Sequence, residues 1–152
     1  VIGLPAPNLH KELAALQADY EVIVIDGGGR ITAAARAACA VADFLIIPTR
    51  PSKPDILSTQ AFLHTVGEEV RTLRAVAGGI LITQLQGGTV VGKAALAELR
   101  ALGYPVFDTI VHARVAYQEA MAAGMSVVEY AGDSRAAHET RALYHEIREA
   151  LV

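Results

Sequence analysis

The sequence predicts an α/β fold, a doubly wound, mostly parallel sheet with helices on both faces. Short runs rich in Val and Ile alternate with longer Ala/Leu segments of helical period, which is the pattern of βαβ units. Two of the runs, V-I-V-I-D at residues 22–26 and F-L-I-I-P at 44–48, lack the polar alternation of a half-exposed strand, as expected where helices cover both sheet faces. With 152 residues, 53% of them hydrophobic, the chain is long enough for one sizeable core, and a single domain over residues 1–152 is expected.

The expected strands are residues 22–26, 44–48, 79–83 and 105–110. A helix capped by Asp55 or Ser58 should turn Phe62, Val66, Val70 and Leu73 inward. Thr89 can open the next, with Val91, Leu96, Leu99 and Leu102 inward and Gly103 as its stop. Residues 114–123 form another, ended by Gly124. The last, capped by Asp133 or Ser134, should bury Leu143, Ile147 and Leu151.

Composition narrows the function. Cys39 is the only cysteine, which excludes an intramolecular disulfide framework and fits a reducing cytoplasm. Apolar runs are broken well before the roughly 20 residues of a membrane span, so a soluble protein is expected. The 13 basic and 16 acidic residues, net −3, exclude a strongly basic nucleic-acid scaffold and leave only a local basic face for DNA.

The most informative stretch is Y-E-V-I-V-I-D-G-G-G-R. An apolar strand delivers Asp26 at its carboxyl end, the edge at which open α/β sheets bind ligands, and then turns through Gly27, Gly28 and Gly29. A carboxylate there is suited to hold a water of a hydrated Mg²⁺, because magnesium keeps several waters and uses few protein carboxylates. Glycines let backbone N–H groups approach a phosphate. The plainer alternative is a strand-ending Asp that caps the following helix.

The D-x-x-G of residues 26–29 resembles the Walker B and switch II segment of ParA-type partition ATPases. Further blocks resemble that family in the same order: A-D-F-L-I-I-P-T-R-P-S-K-P-D at 42–55, G-I-L-I-T-Q at 79–84, and P-V-F-D-T-I-V-H-A-R-V-A-Y-Q-E-A-M-A-A-G-M-S-V-V-E-Y at 105–130, followed by S-R-A-A-H-E and L-Y-H-E-I. The shorter, ParF-like plasmid branch of the deviant Walker A class is most similar. The resemblance implies a P-loop NTPase-like fold, ATP and Mg²⁺ as cofactors, a homodimer, and DNA segregation with a ParB-like centromere-binding partner. It also implies roles: Asp26 holds the Mg²⁺ water, Gly29 senses the γ-phosphate, and Gly27 and Gly28 approach the phosphates. Thr83 and Gln84 end a strand beside the base, Val111, His112 and Arg114 line the adenine pocket, and residues 48–55 face the second subunit.

The departures are as informative. The family's K-G-G-x-G-K-[ST] loop, whose lysines neutralise phosphate charge and whose hydroxyl binds Mg²⁺, does not occur at the N-terminal end of these residues, nor does its acidic switch I. The chain opens on Val1, and both segments are expected upstream of it. The fold is thus read as N-terminally incomplete, and residues 1–152 alone are expected neither to turn over ATP nor to fold as a lone monomer, because the missing strand would run beside residues 22–26. The G-G-T-V-V-G-K-A of residues 87–94 mimics a Walker A loop, but Ala94 puts a methyl group where the metal-binding hydroxyl belongs.

Other residue types suggest less. The five histidines lack metal-ligand spacing, with His138 and His145 reading as solvated, and no G-x-S-x-G supports a hydrolase triad. Arg135, Arg141 and Arg148 offer a DNA-tracking edge, but the interleaved Glu139, Glu146 and Glu149 read as an ordinary solvated helix face. A non-catalytic ParA-like scaffold and an unrelated flavodoxin-like or Rossmann-like binding module are the competing readings.

The false phosphate loop gives the first prediction. Lys93→Ala should leave the nucleotide affinity of the full-length protein within a few-fold of wild type. A loss of about a hundredfold, about 2.7 kcal/mol, would make residues 87–94 the phosphate loop and the family alignment wrong.

Overall fold

The computed structural model describes residues 2–3, 9–28, 30–73, 76–87 and 90–151. The elements are α1 (Leu9–Leu16), α2 (Ala33–Val41), β1 (Phe44–Thr49), α3 (Lys53–Phe62), a π-helical turn (Leu63–Gly67), α4 (Glu68–Leu73), β2 (Ala77–Leu85), α5 (Val90–Arg100), β3 (Val111–His112), α6 (Val115–Ala122), α7 (Val127–Tyr130) and α8 (Arg135–Ala150). They divide into two compact units, Val1–Leu45 with Ala61–Val76, and Ile46–Gln60 with Ala77–Val152.

The second unit holds the sheet, ordered β1-β2-β3. As the middle strand, β2 has Gly79, Ile80, Leu81 and Ile82 all buried, which is why this run carries no polar residue. It pairs in parallel with β3, Thr83 opposite Val111 and Leu85 opposite His112. Upstream, Ile80 bridges Val106: its N–H donates to the Pro105 carbonyl at 2.8 Å, and its carbonyl accepts from Phe107 at 3.0 Å. The continuous strand expected over residues 105–110 is therefore corrected to a bridge at Val106 and a two-residue β3. The cause is local: the N–H groups of Asp108 and Thr109 donate to the Glu146 carboxylate.

Helix starts follow hydroxyl chemistry. The Ser52 hydroxyl accepts from the Asp55 N–H at 3.4 Å, so α3 opens at Lys53, ahead of both expected caps. The Ser58 hydroxyl instead donates back to the Pro54 carbonyl. The buried hydroxyls of Thr49 and Thr59, 2.7 Å apart, tie the end of β1 to α3. Of the two caps considered for α8, Ser134 serves, accepting from Ala137. Thr89 lies outside the described residues, but α5 buries Leu99 as expected and Gly103, at φ 76°, ends it. Ala120, Val127 and Ala136 join α6, α7 and α8, and the Tyr117 hydroxyl donates to the Ala136 carbonyl at 3.0 Å. Leu143 and Ile147 are half-buried. Leu151 is a correction: it occupies the C-cap, past the packed face, and is 52% exposed.

In the first unit, Leu9 and Leu13 of α1 pack with Ala38 of α2, and Ile23 and Ile25 lie against them. Val22 and Val24 alternate outward, 74% and 91% exposed. Residues 22–26 therefore keep a strand's side-chain alternation but, among the described residues, form no ladder; this corrects the expected strand. Cys39, Val66 and Val70 make a second cluster with Leu45, Phe62 and Val76. Phe62, Val66 and Val70 recur every fourth residue, a spacing that the π turn helps hold on one face because its turn is wider than 3.6 residues.

Gly79 is where the sheet is least tolerant. A Cβ there would sit 2.9 Å from the Pro105 carbonyl oxygen and 3.2 Å from its carbon, both backbone atoms that also carry the Ile80 bridge. Gly79→Ala should cost about 1–3 kcal/mol in urea denaturation, whereas Gly87→Ala, with open space around the new methyl group, should stay within about 0.5 kcal/mol. Equal values for the two would show that the close approach does not constrain the fold.

Candidate functional site

In the first unit, Asp26 is exposed and its Oδ1 accepts the Gly28 N–H at 3.1 Å, closing a turn in which Gly28 has φ 68°. That φ is in the left-handed region where glycine is favoured. A Cβ at Gly27 or Gly28 would meet no atom within 4 Å, so the turn is open to an approaching ligand. Gly29 lies outside the described residues. No three His, Cys, Asp or Glu side chains cluster as a metal cage among the described residues. One accessible carboxylate beside an open glycine turn fits a magnesium held chiefly by water and phosphate.

In the second unit, the carboxyl ends of β2 and β3 bring together five of the residues singled out from sequence. Thr83 and Val111 face each other in the ladder, Gln84 and His112 follow, and Arg114 is the N-cap residue of α6. The register slips between Thr83 and Leu85, and Gln84 is the extra residue, at φ 55°. A bulge with a non-glycine residue in the left-handed region is a strained arrangement of the kind found beside functional sites. Gln84, with Gln86, Gly92, Arg50, Pro51, Ser52 and Asp55, lines an open cavity of about 480 Å³. Among these residues the Ser52 hydroxyl donates to Asp55, and Arg50 pairs with the same carboxylate at 3.1 Å. The Ser52 hydroxyl, followed by Arg50, holds Asp55 below the usual carboxylate range.

The loop after β3 has a support that sequence reasoning missed. Glu139 of α8 accepts from the His112 N–H at 3.2 Å, from His112 Nδ1 at 2.8 Å, and from Arg114 Nε and Nη2 at 3.0 and 2.5 Å. One helical heptad on, Glu146 accepts from the N–H groups of Asp108 and Thr109 at 2.6 and 2.9 Å. These two glutamates are not part of a solvated face, and that reading is corrected: they share the packed side of α8 with Ala136, Leu143 and Ile147. The seven-residue spacing that puts Glu139 and Glu146 on the same helical face as Leu143 was the available signal. Two of the three arginines considered for DNA make local contacts, Arg141 donating to the Gly132 carbonyl at 2.7 Å and Arg148 stacking over Tyr144.

No protein-family profile matches the chain. Compared with solved structures, 95% of it superposes on the cell division ATPase MinD of Pyrococcus furiosus with a TM-score of 0.77 and 17% identity, covering 59% of that chain. The fold is that of MinD over this part of its length. Two curated relatives carry the name maintenance of carboxysome distribution protein A. That of Halothiobacillus neapolitanus is 23% identical over 90% of this chain, and that of Gloeobacter kilaueensis is 29% identical over 87%. The chain spans 64% and 59% of their lengths. Within this MinD-type fold, the doubly wound α/β class with a parallel sheet is as the sequence predicted. No described helix is long and apolar enough to cross a membrane.

Both α8 carboxylates titrate low. Burial would raise Glu139, but the hydrogen bonds from Arg114 and His112 outweigh it; burial would raise Glu146, but those from Thr109 and Asp108 outweigh it. A folded-state value below the unfolded one contributes stability above about pH 4.3, the ordinary glutamate value, which is lost as pH falls through the folded value. Glu139→Gln should therefore be less stable than wild type at pH 7, and the gap should shrink at pH 3.5 in urea titrations. A gap independent of pH would mean that the loop is held equally well by an uncharged amide.

Proposed function

We propose that this chain is the base-side and switch portion of a ParA/MinD-like positioning ATPase that binds ATP. The observation that carries the reading is the carboxyl edge of β2 and β3, where a strained bulge at Gln84 and the residues Thr83, Val111, His112 and Arg114 converge on the edge at which open α/β sheets take ligands. The base would lie against this edge. Asp26 would hold a water of Mg²⁺, Gly27 and Gly28 would let backbone N–H groups approach the phosphates, and Gly29 would sense the γ-phosphate. When bound, Mg²⁺ neutralises phosphate charge. The lysine-bearing phosphate loop would come from the part of the relatives' length that this chain does not span, and the reaction would be attack of water on the γ-phosphate. Residues 48–55, which include Arg50, Ser52 and Asp55 of the open cavity, would face the second subunit of a nucleotide-dependent homodimer in the cytoplasm.

Two cargoes are supported by different observations. The ordered blocks of residues 42–55, 79–84 and 105–130 support DNA segregation in the ParF-like manner, with a ParB-like partner and nonspecific DNA contact. The names of the two relatives support a protein compartment as cargo instead.

The full-length protein should hydrolyse ATP only with Mg²⁺. Asp26→Ala should lower kcat by about a hundredfold or more, about 2.7 kcal/mol of barrier. Residues 1–152 alone should show no turnover. Wild-type activity in the Asp26→Ala protein, or Mg²⁺-dependent turnover by residues 1–152, would overturn the assignment.

A further inference from the structure

The last helix repeats itself. H-E-T-R at residues 138–141 returns as H-E-I-R at 145–148, seven residues on, and that spacing brings like side chains back to nearly the same face of an α-helix. In both copies the glutamate turns inward: Glu139 and Glu146 are partly buried and bonded to the segment around β3, whereas the histidine and the arginine of each copy are exposed. The sequence interleaves acid and base along α8, and folding sorts them.

His138, Arg141, His145 and Arg148, alternately three and four residues apart, therefore form a straight strip about 15 Å long on the outer face of α8. Of the three glutamates of this helix only Glu149 is on the exposed side. Among the described residues no carboxylate pairs with either arginine. Arg141 donates to the Gly132 carbonyl, and Arg148 lies over the Tyr144 ring with Nη1 at 3.4 Å from its hydroxyl, so both charges are uncompensated. One flank of the strip is apolar, with Tyr144 55% and Leu151 52% exposed, again seven residues apart.

Uncompensated guanidinium groups at helical spacing match carboxylates at the same spacing on a second helix, and the apolar surface of Tyr144 and Leu151 can be covered by the apolar edge of such a helix. A nucleic-acid backbone fits less well. Its binding at physiological salt rests on neutralising many phosphates, whereas α8 offers three arginines on a chain of net charge −3, and phosphodiesters give an apolar flank nothing to pack against.

We infer that the outer face of α8 is a docking strip for an acidic amphipathic helix of a protein partner, its carboxylates set against His138, Arg141, His145 and Arg148 and its apolar edge against Tyr144 and Leu151. The inference stands apart from the nucleotide-binding reading, since no residue of the strip belongs to the carboxyl edge of β2 and β3.

The test is fluorescence anisotropy of a labelled, helix-forming peptide of about 20 residues on the full-length protein. The peptide carries glutamates alternately three and four residues apart with leucines beside them, and a control peptide has glutamine at the glutamate positions. The acidic peptide should bind, and the control should bind about tenfold more weakly. Combining Arg141→Ala with Arg148→Ala should weaken the acidic peptide about tenfold, the sum of two exposed ion pairs. Arg100→Ala, which removes an exposed charge at the end of α5, should leave the affinity unchanged, and Leu151→Ser should lower it a few-fold. Arg148→Glu should reject the acidic peptide and bind a lysine version better than wild type does, an exchange that loss of folding could not produce. Equal binding of the glutamate and glutamine peptides, or binding of neither, overturns the inference. Tighter binding of a mixed-sequence DNA duplex through the same two arginines overturns it as well, and makes the strip a nucleic-acid surface.

Discussion

A strand buried on both faces can carry polar chemistry only where it ends, and β2 imposes that constraint on the second unit. Its G-I-L-I stretch has no room for a functional side chain, and Gly79 has no room for a side chain of any kind. Polarity begins at Thr83 and is concentrated by the bulge at Gln84. Because β3 runs parallel to β2, its own polar end, His112, arrives at the same edge. The cavity beside Gln84 follows from the same geometry, with the loop after β1 contributing Arg50 and Ser52 and the first turn of α3 contributing Asp55.

A short β3 needs support from elsewhere. Between the bridge at Val106 and the two residues of β3, the N–H groups that leave the ladder must find acceptors. Helix α8 provides them through Glu146 and Glu139, seven residues apart and therefore nearly superimposed along the helix. The carboxylates do the work of a neighbouring strand, with one difference: Glu139 also binds the side chains of His112 and Arg114.

Much of this was legible in the residues. Continuous apolar runs marked β1 and β2, since burial on both faces leaves no alternation, and Gly103, Gly124 and Ser134 marked helix ends through backbone conformation and capping. The gathering of Thr83, Gln84, Val111, His112 and Arg114 followed from the family resemblance. Residues 22–26 had the composition of an inner strand, but pairing is a property of neighbours, and composition does not reveal whether a neighbour is there. The start of α3 was missed because Ser52, Asp55 and Ser58 offer three competing hydroxyl and carboxylate caps within seven residues. The α8 glutamates were missed for a related reason: a charge on a packed face looks like a charge on a wet one until its partners, which lie 25 to 38 residues away, are known.

The left-handed backbone at Gln84 has a consequence for what this edge can become. Glycine, asparagine and aspartate take that conformation most readily, and valine, isoleucine or threonine take it at a steric penalty. Random substitution at the mouth of the cavity is thus filtered by backbone geometry before any ligand is involved, and the survivors are small or hydrophilic. A lineage descended from this protein could change much of its surface and still inherit a polar rim at this point of the sheet.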